Sequence, residues 1–95
     1  MKIAMLFSDA THYTKGAMAR DRQGLECDPE NQAASSWCLL GAISHCYKTD
    51  VEREKARHKI LNALALKGHY GIVDFNDGWE TQASDVQSLA EEAHV

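Results

Sequence analysis

A mainly helical α+β domain is the fold that this chain predicts. It has a small N-terminal β element, a central antiparallel helical hairpin, a short extended segment and a C-terminal helix. Three observations carry that reading. Residues 33–47 form the densest run of apolar and small residues, with helical spacing. Thr49-Asp50-Val51-Glu52 follows as a capping box, so a second helix begins after the single connecting residue Lys48. Val86, Leu89, Ala90 and Ala93 then give a third helix one apolar stripe. With 95 residues the chain makes a single compact domain, 1–95, near the lower limit for a self-sufficient core.

The elements follow in order. Residues 1–7, with a consecutive apolar run over 3–7, fit either a short strand or a remnant of helix, because periodicity does not arbitrate there. Residues 13–24 are turn-rich, punctuated by Gly16 and Gly24, and predict two short strands forming a hairpin around the polar turn Arg20-Asp21-Arg22-Gln23-Gly24. Asp28-Pro29-Glu30 reads as a helix start: Asp28 as cap, proline in the first turn and an acid at the positive end of the dipole. From there the central helix runs through Trp37, Cys38, Gly41 and His45, with a close approach of another element expected at Gly41-Ala42. The next helix buries Val51, Ala56, Ile60, Leu61 and Leu64 and ends at Gly68. Residues 70–75 read as extended, Asn76-Asp77-Gly78 as a turn, and Thr81 or Ser84 as the last cap.

Charge and cysteine content narrow the partners. The net charge is −4, so general attraction to nucleic acid or anionic membrane is not expected. Residues 1–67 carry all ten Lys/Arg, whereas 68–95 carry six acids and no Lys/Arg. That acidic region suits either a solvated face or a basic partner surface. Cys27, Cys38 and Cys46 are odd in number. On one helix Cys38 and Cys46 lie roughly 12 Å apart, beyond disulfide reach. Three reduced thiols imply a cytoplasmic setting. Residues 3–7 are shorter than a signal core, and no run approaches the ~20 residues of a membrane helix.

Several motifs stand in one order: Tyr13-Thr14-Lys15-Gly16-Ala17, Ala19-Arg20-Asp21, Gly24, Trp37-Cys38-Leu39-Leu40-Gly41-Ala42, Phe75-Asn76-Asp77 and a last helix opening near Thr81. In this order and spacing the chain resembles, along 13–93, a family of small uncharacterised proteins of bacteria and their phages. Tyr13 and Phe75 stand where many of those relatives have tryptophan. The resemblance implies a compact, mostly helical domain and brings no assigned activity or catalytic residue.

The constellations that could carry chemistry are few. Cys38 is the one nucleophile candidate. With a helix start at Pro29 it lies in the third turn, beyond the end dipole; a cap at Ser35 would place it in the first turn and activate it. His45 is about 10 Å further along that helix, out of direct reach. No C-x-x-C, H-x-x-x-H or H-E-x-x-H spacing occurs, so no metal or cofactor is expected. Asn76-Asp77 either contacts a ligand at a pocket floored by Trp37 or walled by Trp79, or ties down the facing Tyr13-Thr14-Lys15-Gly16 stretch. Lys15 or Arg20 is the natural cation for an anionic ligand there. Arg53, Lys55, Arg57, His58 and Lys59, interleaved with acids, read as a solvated helix face rather than a nucleic-acid surface.

The function expected from these features is that of a non-enzymatic binding protein masking a host protein, such as a component of an antiviral defence system. A phage or mobile-element origin rests on the resemblance alone. Its partner-binding residues are Tyr13, Thr14, Lys15, Arg20, Asn76, Asp77 and Trp79. The alternatives are a binder that sequesters an anionic metabolite or nucleotide signal, and a cysteine-dependent hydrolase or transferase using Cys38. A homodimer is compatible with so small a core.

Overall fold

A computed structural model describes residues 1–95. The order is α1 (Ile3–Leu6), a 3-10 turn (Ala10–His12), β1 (Ala19–Asp21), β2 (Ala34–Trp37), α2 (Leu39–Cys46), α3 (Asp50–Leu66), α4 (Ile72–Asp77) and α5 (Ala83–Glu92). The architecture is the mainly helical α+β class predicted, with a small β element and the α2–α3 hairpin at its centre. Ile3, Leu6 and Phe7 bring the N-terminal segment into one core with Leu39, Ile43, Ile60, Leu64, Val86 and Leu89. That segment is helical, and α1 packs on α5 and α2. No helix is long and apolar enough to cross a membrane.

The central helix starts ten residues later than Asp28-Pro29 suggests. Asp28 caps a turn instead: its carboxylate accepts the Glu30 N–H at 2.9 Å, and its carbonyl accepts the Asn31 N–H at 2.9 Å. Asn31 repeats the device on the Ala33 N–H at 2.8 Å. The side chains that cap helices also close such turns, and local sequence does not separate the two uses. Ala34–Trp37 then pairs antiparallel with β1, register Ala19↔Trp37 and Arg20↔Ser36, with an irregularity between Arg20 and Asp21. The hairpin expected within 13–24 is therefore replaced by a longer-range pairing. Its polar turn survives, since Gly24 at φ 84° donates to the Asp21 carbonyl at 3.0 Å. The returning chain touches β1 as a bridge, Arg20↔Glu26.

The remaining elements hold with local corrections. Thr49 caps α3, accepting the Glu52 N–H at 3.1 Å, while Val51 is exposed rather than buried. Gly68 ends α3 at φ 83°. Of residues 70–75, Gly71 is extended, but from Ile72 on the chain is helical. Ile72 and Asn76, four residues apart, are the buried positions of α4, so tertiary docking overrides the β preference of Tyr70, Ile72 and Val73. The cap of α5 is Gln82, whose N–H donates to Asp85 at 2.8 Å; Thr81 instead donates its hydroxyl to the Phe75 carbonyl.

Gly41 is the point of closest approach. A Cβ there would lie 1.9 Å from the Met18 carbonyl oxygen. The same oxygen accepts the Cys38 N–H at 3.1 Å, so the chain entering β1 lies directly on the start of α2.

Candidate functional site

The N-terminus of α2 is buried, and its free N–H groups need acceptors from within the protein. Cys38 is the cap residue, and its Sγ accepts the Gly41 N–H at 3.3 Å. The Leu39 N–H is taken by Asn76 Oδ1 at 2.9 Å. Asn76 is 0% exposed and comes from α4, 37 residues along the chain. Its amide nitrogen donates to the Thr14 carbonyl at 3.1 Å and to Asp77 Oδ1 at 2.9 Å. One side chain therefore joins α2, α4 and the 13–16 stretch.

The facing of Tyr13-Thr14-Lys15-Gly16 by Asn76-Asp77 is thus realised as a clasp. The Tyr13 hydroxyl donates to the Asn76 carbonyl. Lys15 Nζ donates to the Gly78 carbonyl at 2.6 Å, and the Gly16 N–H to Asp77 Oδ1 at 3.2 Å. Arg20 spends its guanidinium on neighbouring chain: Nε on Thr14 Oγ1 at 3.1 Å, the two terminal nitrogens on the carbonyls of Gly24 and Lys15 at 3.0 and 3.1 Å. Burial first, then the negative charges of Asp77 and Asp85, push the Tyr13 phenol up to about 12, so it stays a neutral donor. Every buried side-chain nitrogen and oxygen has a partner.

Trp79 is the member of the set left outside the clasp. It is 89% exposed. With Glu80 it forms the tip of a turn closed by the Thr81 N–H donating to the Gly78 carbonyl at 3.0 Å. Lys15 holds the same carbonyl, and the Thr81 hydroxyl holds Phe75. The clasp beneath therefore fixes the base of the turn that displays the indole. Tyr70, two residues before α4, is 82% exposed and had no signal in sequence beyond its place in an apparent strand.

None of the three main cavities of the protein is lined by Asn76. An open groove of about 850 Å³ lies on the other side of Trp37, lined by His12, Arg22, Gln23, Gln32 and Ser35 among others. None of Lys15, Arg20, Asn76 or Trp79 lines it. Trp37 offers it little stacking surface: the residue is 6% exposed, with one face stacked on His45 at 4.3 Å between ring centroids and His12 against it edge-on at 5.8 Å.

Cys38 is the cap itself, closer to the helix start than either placement considered from sequence. Burial pushes its thiol up, and the N–H groups of Gly41 and Leu40 only partly oppose this. His45 and His12 are turned to Trp37, and His12 Nδ1 is 2.9 Å from the Leu6 carbonyl. The thiol therefore has the environment of a small core residue that doubles as a cap. At pH 8 alkylation of Cys38 in the folded protein is expected to run at least about tenfold slower than in the denatured chain. Mass spectrometry of timed iodoacetamide labelling checks this, and equal rates would restore Cys38 as a nucleophile candidate.

No group of three or more His, Cys, Asp or Glu side chains is placed to hold a metal ion. No curated protein and no solved structure matches the chain. Residues 3–94, nearly its whole length, match one family profile, and on that match the chain belongs to the family of unknown function DUF6197.

Proposed function

We propose that the chain is a non-enzymatic binding protein that masks a partner protein, with Trp79 as its anchor. The observation that carries this is the 89% exposure of an indole at the tip of a turn pinned from below by Lys15 and Thr81. Tryptophan and tyrosine dominate the energetics of protein interfaces. Removing about 200 Å² of indole from water is worth about 5 kcal/mol before the costs of association. A turn already held in place loses little further entropy on binding.

The charge around the anchor narrows the partner. Asp74, Asp77 and Glu80 are exposed close to it in sequence, and residues 68–95 contain no Lys or Arg. A basic surface with an apolar hollow is the complementary shape, and acidic rim groups would steer it on and set its salt dependence. The resemblance to proteins of bacteria and their phages makes a host protein the target of this reading, a defence component being one such protein.

The test compares wild type with Trp79→Ala, and then Trp79→Ala with Tyr70→Ala. Both positions are exposed, so unfolding free energy should change by no more than about 0.5 kcal/mol. A host protein retained by wild type and identified by mass spectrometry should bind the single variant about 30-fold or more weakly. Undiminished binding of that protein by Trp79→Ala would remove the proposed anchor, and undiminished binding by the double variant would remove both exposed aromatic residues from the interaction.

A further inference from the structure

We propose a second site, for a compact phosphate-bearing anion, in the cavity between Lys2, α3 and the His94–Val95 turn. The cavity is about 330 Å³, and Ala56 and Val95, both 2% exposed, line it together with Lys2, Tyr47, Lys55 and Lys59. His94 stands at its edge with a left-handed backbone, φ 60°, which turns Val95 inward. The Val95 carbonyl then accepts the Ala4 N–H at 3.1 Å and closes that end of the cavity.

The placement of charge is what calls for a ligand. Lys55 and Lys59 are four residues apart on α3, so their ammonium groups share one helix face and repel. Lys2 brings a third cation from the N-terminal segment. Elsewhere the cations of α3 are matched: Arg53 with Glu30 at 2.6 Å and Arg57 with Glu54 at 2.5 Å. Lys67 just beyond it pairs with Glu92 at 2.9 Å. The ammonium groups of Lys2, Lys55 and Lys59 have no ion-pair partner and donate no hydrogen bond. The one acidic side chain lining the cavity, Glu52, accepts the Thr49 hydroxyl at 3.0 Å. A chain of net charge −4 thus gathers three unmatched cations around one hollow.

The three lysines are exposed at the rim of the cavity, and an anion seated between them would offset their mutual repulsion. Ammonium groups act as point charges for phosphate. Three of them around a hollow suit a dianion or trianion rather than a single carboxylate. The volume lies at the small end of ligand pockets, matching pyrophosphate or a mononucleotide, with Tyr47 as an aromatic wall. The site shares no residue with the Trp79 face, so the two proposals stand or fall separately.

The experiment is a thermal-unfolding and calorimetric titration of the full chain at low ionic strength, with pyrophosphate, AMP and sodium sulfate as probes. Pyrophosphate should raise the unfolding temperature of wild type in a saturable way and bind at least tenfold more tightly than sulfate. AMP binding as tightly as pyrophosphate would assign the ligand as a nucleotide; weaker binding of AMP would assign the phosphate groups alone. Lys55→Gln with Lys59→Gln should abolish the response while leaving the ligand-free protein as stable as wild type or more so, because the variant removes a repulsion. Lys48→Gln, a charge removal outside the cavity, should bind as wild type does. An unmoved wild type, or an equal response in the Lys55→Gln, Lys59→Gln variant, would overturn the site.

Discussion

Asn76→Ala is expected to lower the unfolding free energy by about 3–5 kcal/mol. The loss has two parts, since the Leu39 N–H and the Thr14 carbonyl each lose a buried partner. Leaving such a group unpaired costs about 1–3 kcal/mol, and a void adds to it. For a domain of this size that is a large share of about 5–14 kcal/mol in total. Urea unfolding followed by far-ultraviolet circular dichroism measures it. A loss under about 1 kcal/mol would mean that the α2 N-terminus finds another acceptor. Asn76→Asp is the informative companion. It keeps an acceptor for Leu39 but sets a carboxylate against the Thr14 carbonyl and Asp77 Oδ1, both of which now accept from the amide. Its deficit relative to wild type should therefore shrink as pH falls and the new carboxyl gains a proton to donate.

Gly41→Ala should cost about 3 kcal/mol or more, although alanine is the better helix former. The added methyl would stand 1.9 Å from the Met18 oxygen and 2.8 Å from its carbon. Both are backbone atoms, so no side-chain rotation relieves the clash. The 17–19 segment would have to lift away from α2, breaking the Cys38 N–H bond to Met18. Gly68→Ala sharpens the comparison. Nothing lies within 4 Å of a Cβ there, so its cost is limited to the left-handed backbone at φ 83°. If Gly41→Ala costs no more than Gly68→Ala, the close packing of Met18 on α2 is not what requires glycine.

How far these features could be read from sequence depends on the range of the interaction behind each. Thr49-Asp50-Val51-Glu52 and the Val86–Ala93 stripe are local, and both helices they announce are present. Asp28-Pro29-Glu30 is equally local but ambiguous, because a carboxylate that can cap a helix can also close a turn. What decides it is the pairing of Ala34–Trp37 with Ala19–Asp21, some fifteen residues away and invisible to periodicity. Helix α4 hides for a similar reason: its residues prefer strand, and Ile72 and Asn76 acquire their helical face only once α2 is in place. In the clasp, the facing of residues 13–16 by Asn76-Asp77 was readable, although these two residues end α4 instead of forming the turn expected of them. The use of the Asn76 amide as a remote cap for Leu39 was not. The basic cavity escaped because Lys2 and His94 lie at the two ends of the chain, far in sequence from Lys55 and Lys59.

The two indoles of this chain live in opposite media. Trp79 stands in water, whereas Trp37 is buried with its ring against the imidazole of His45. Burial and the nearby Lys48 charge hold His45 below the usual histidine range, so that imidazole is neutral at pH 7. The protein therefore carries two optical reporters that need no label. Trp79 supplies a red-shifted emission that soluble iodide quenches and that a docked partner would shield. Trp37 supplies a blue-shifted component that iodide cannot reach and that moves only when the core opens. Occupancy of the outer face and integrity of the fold can thus be followed in one sample, at one excitation wavelength.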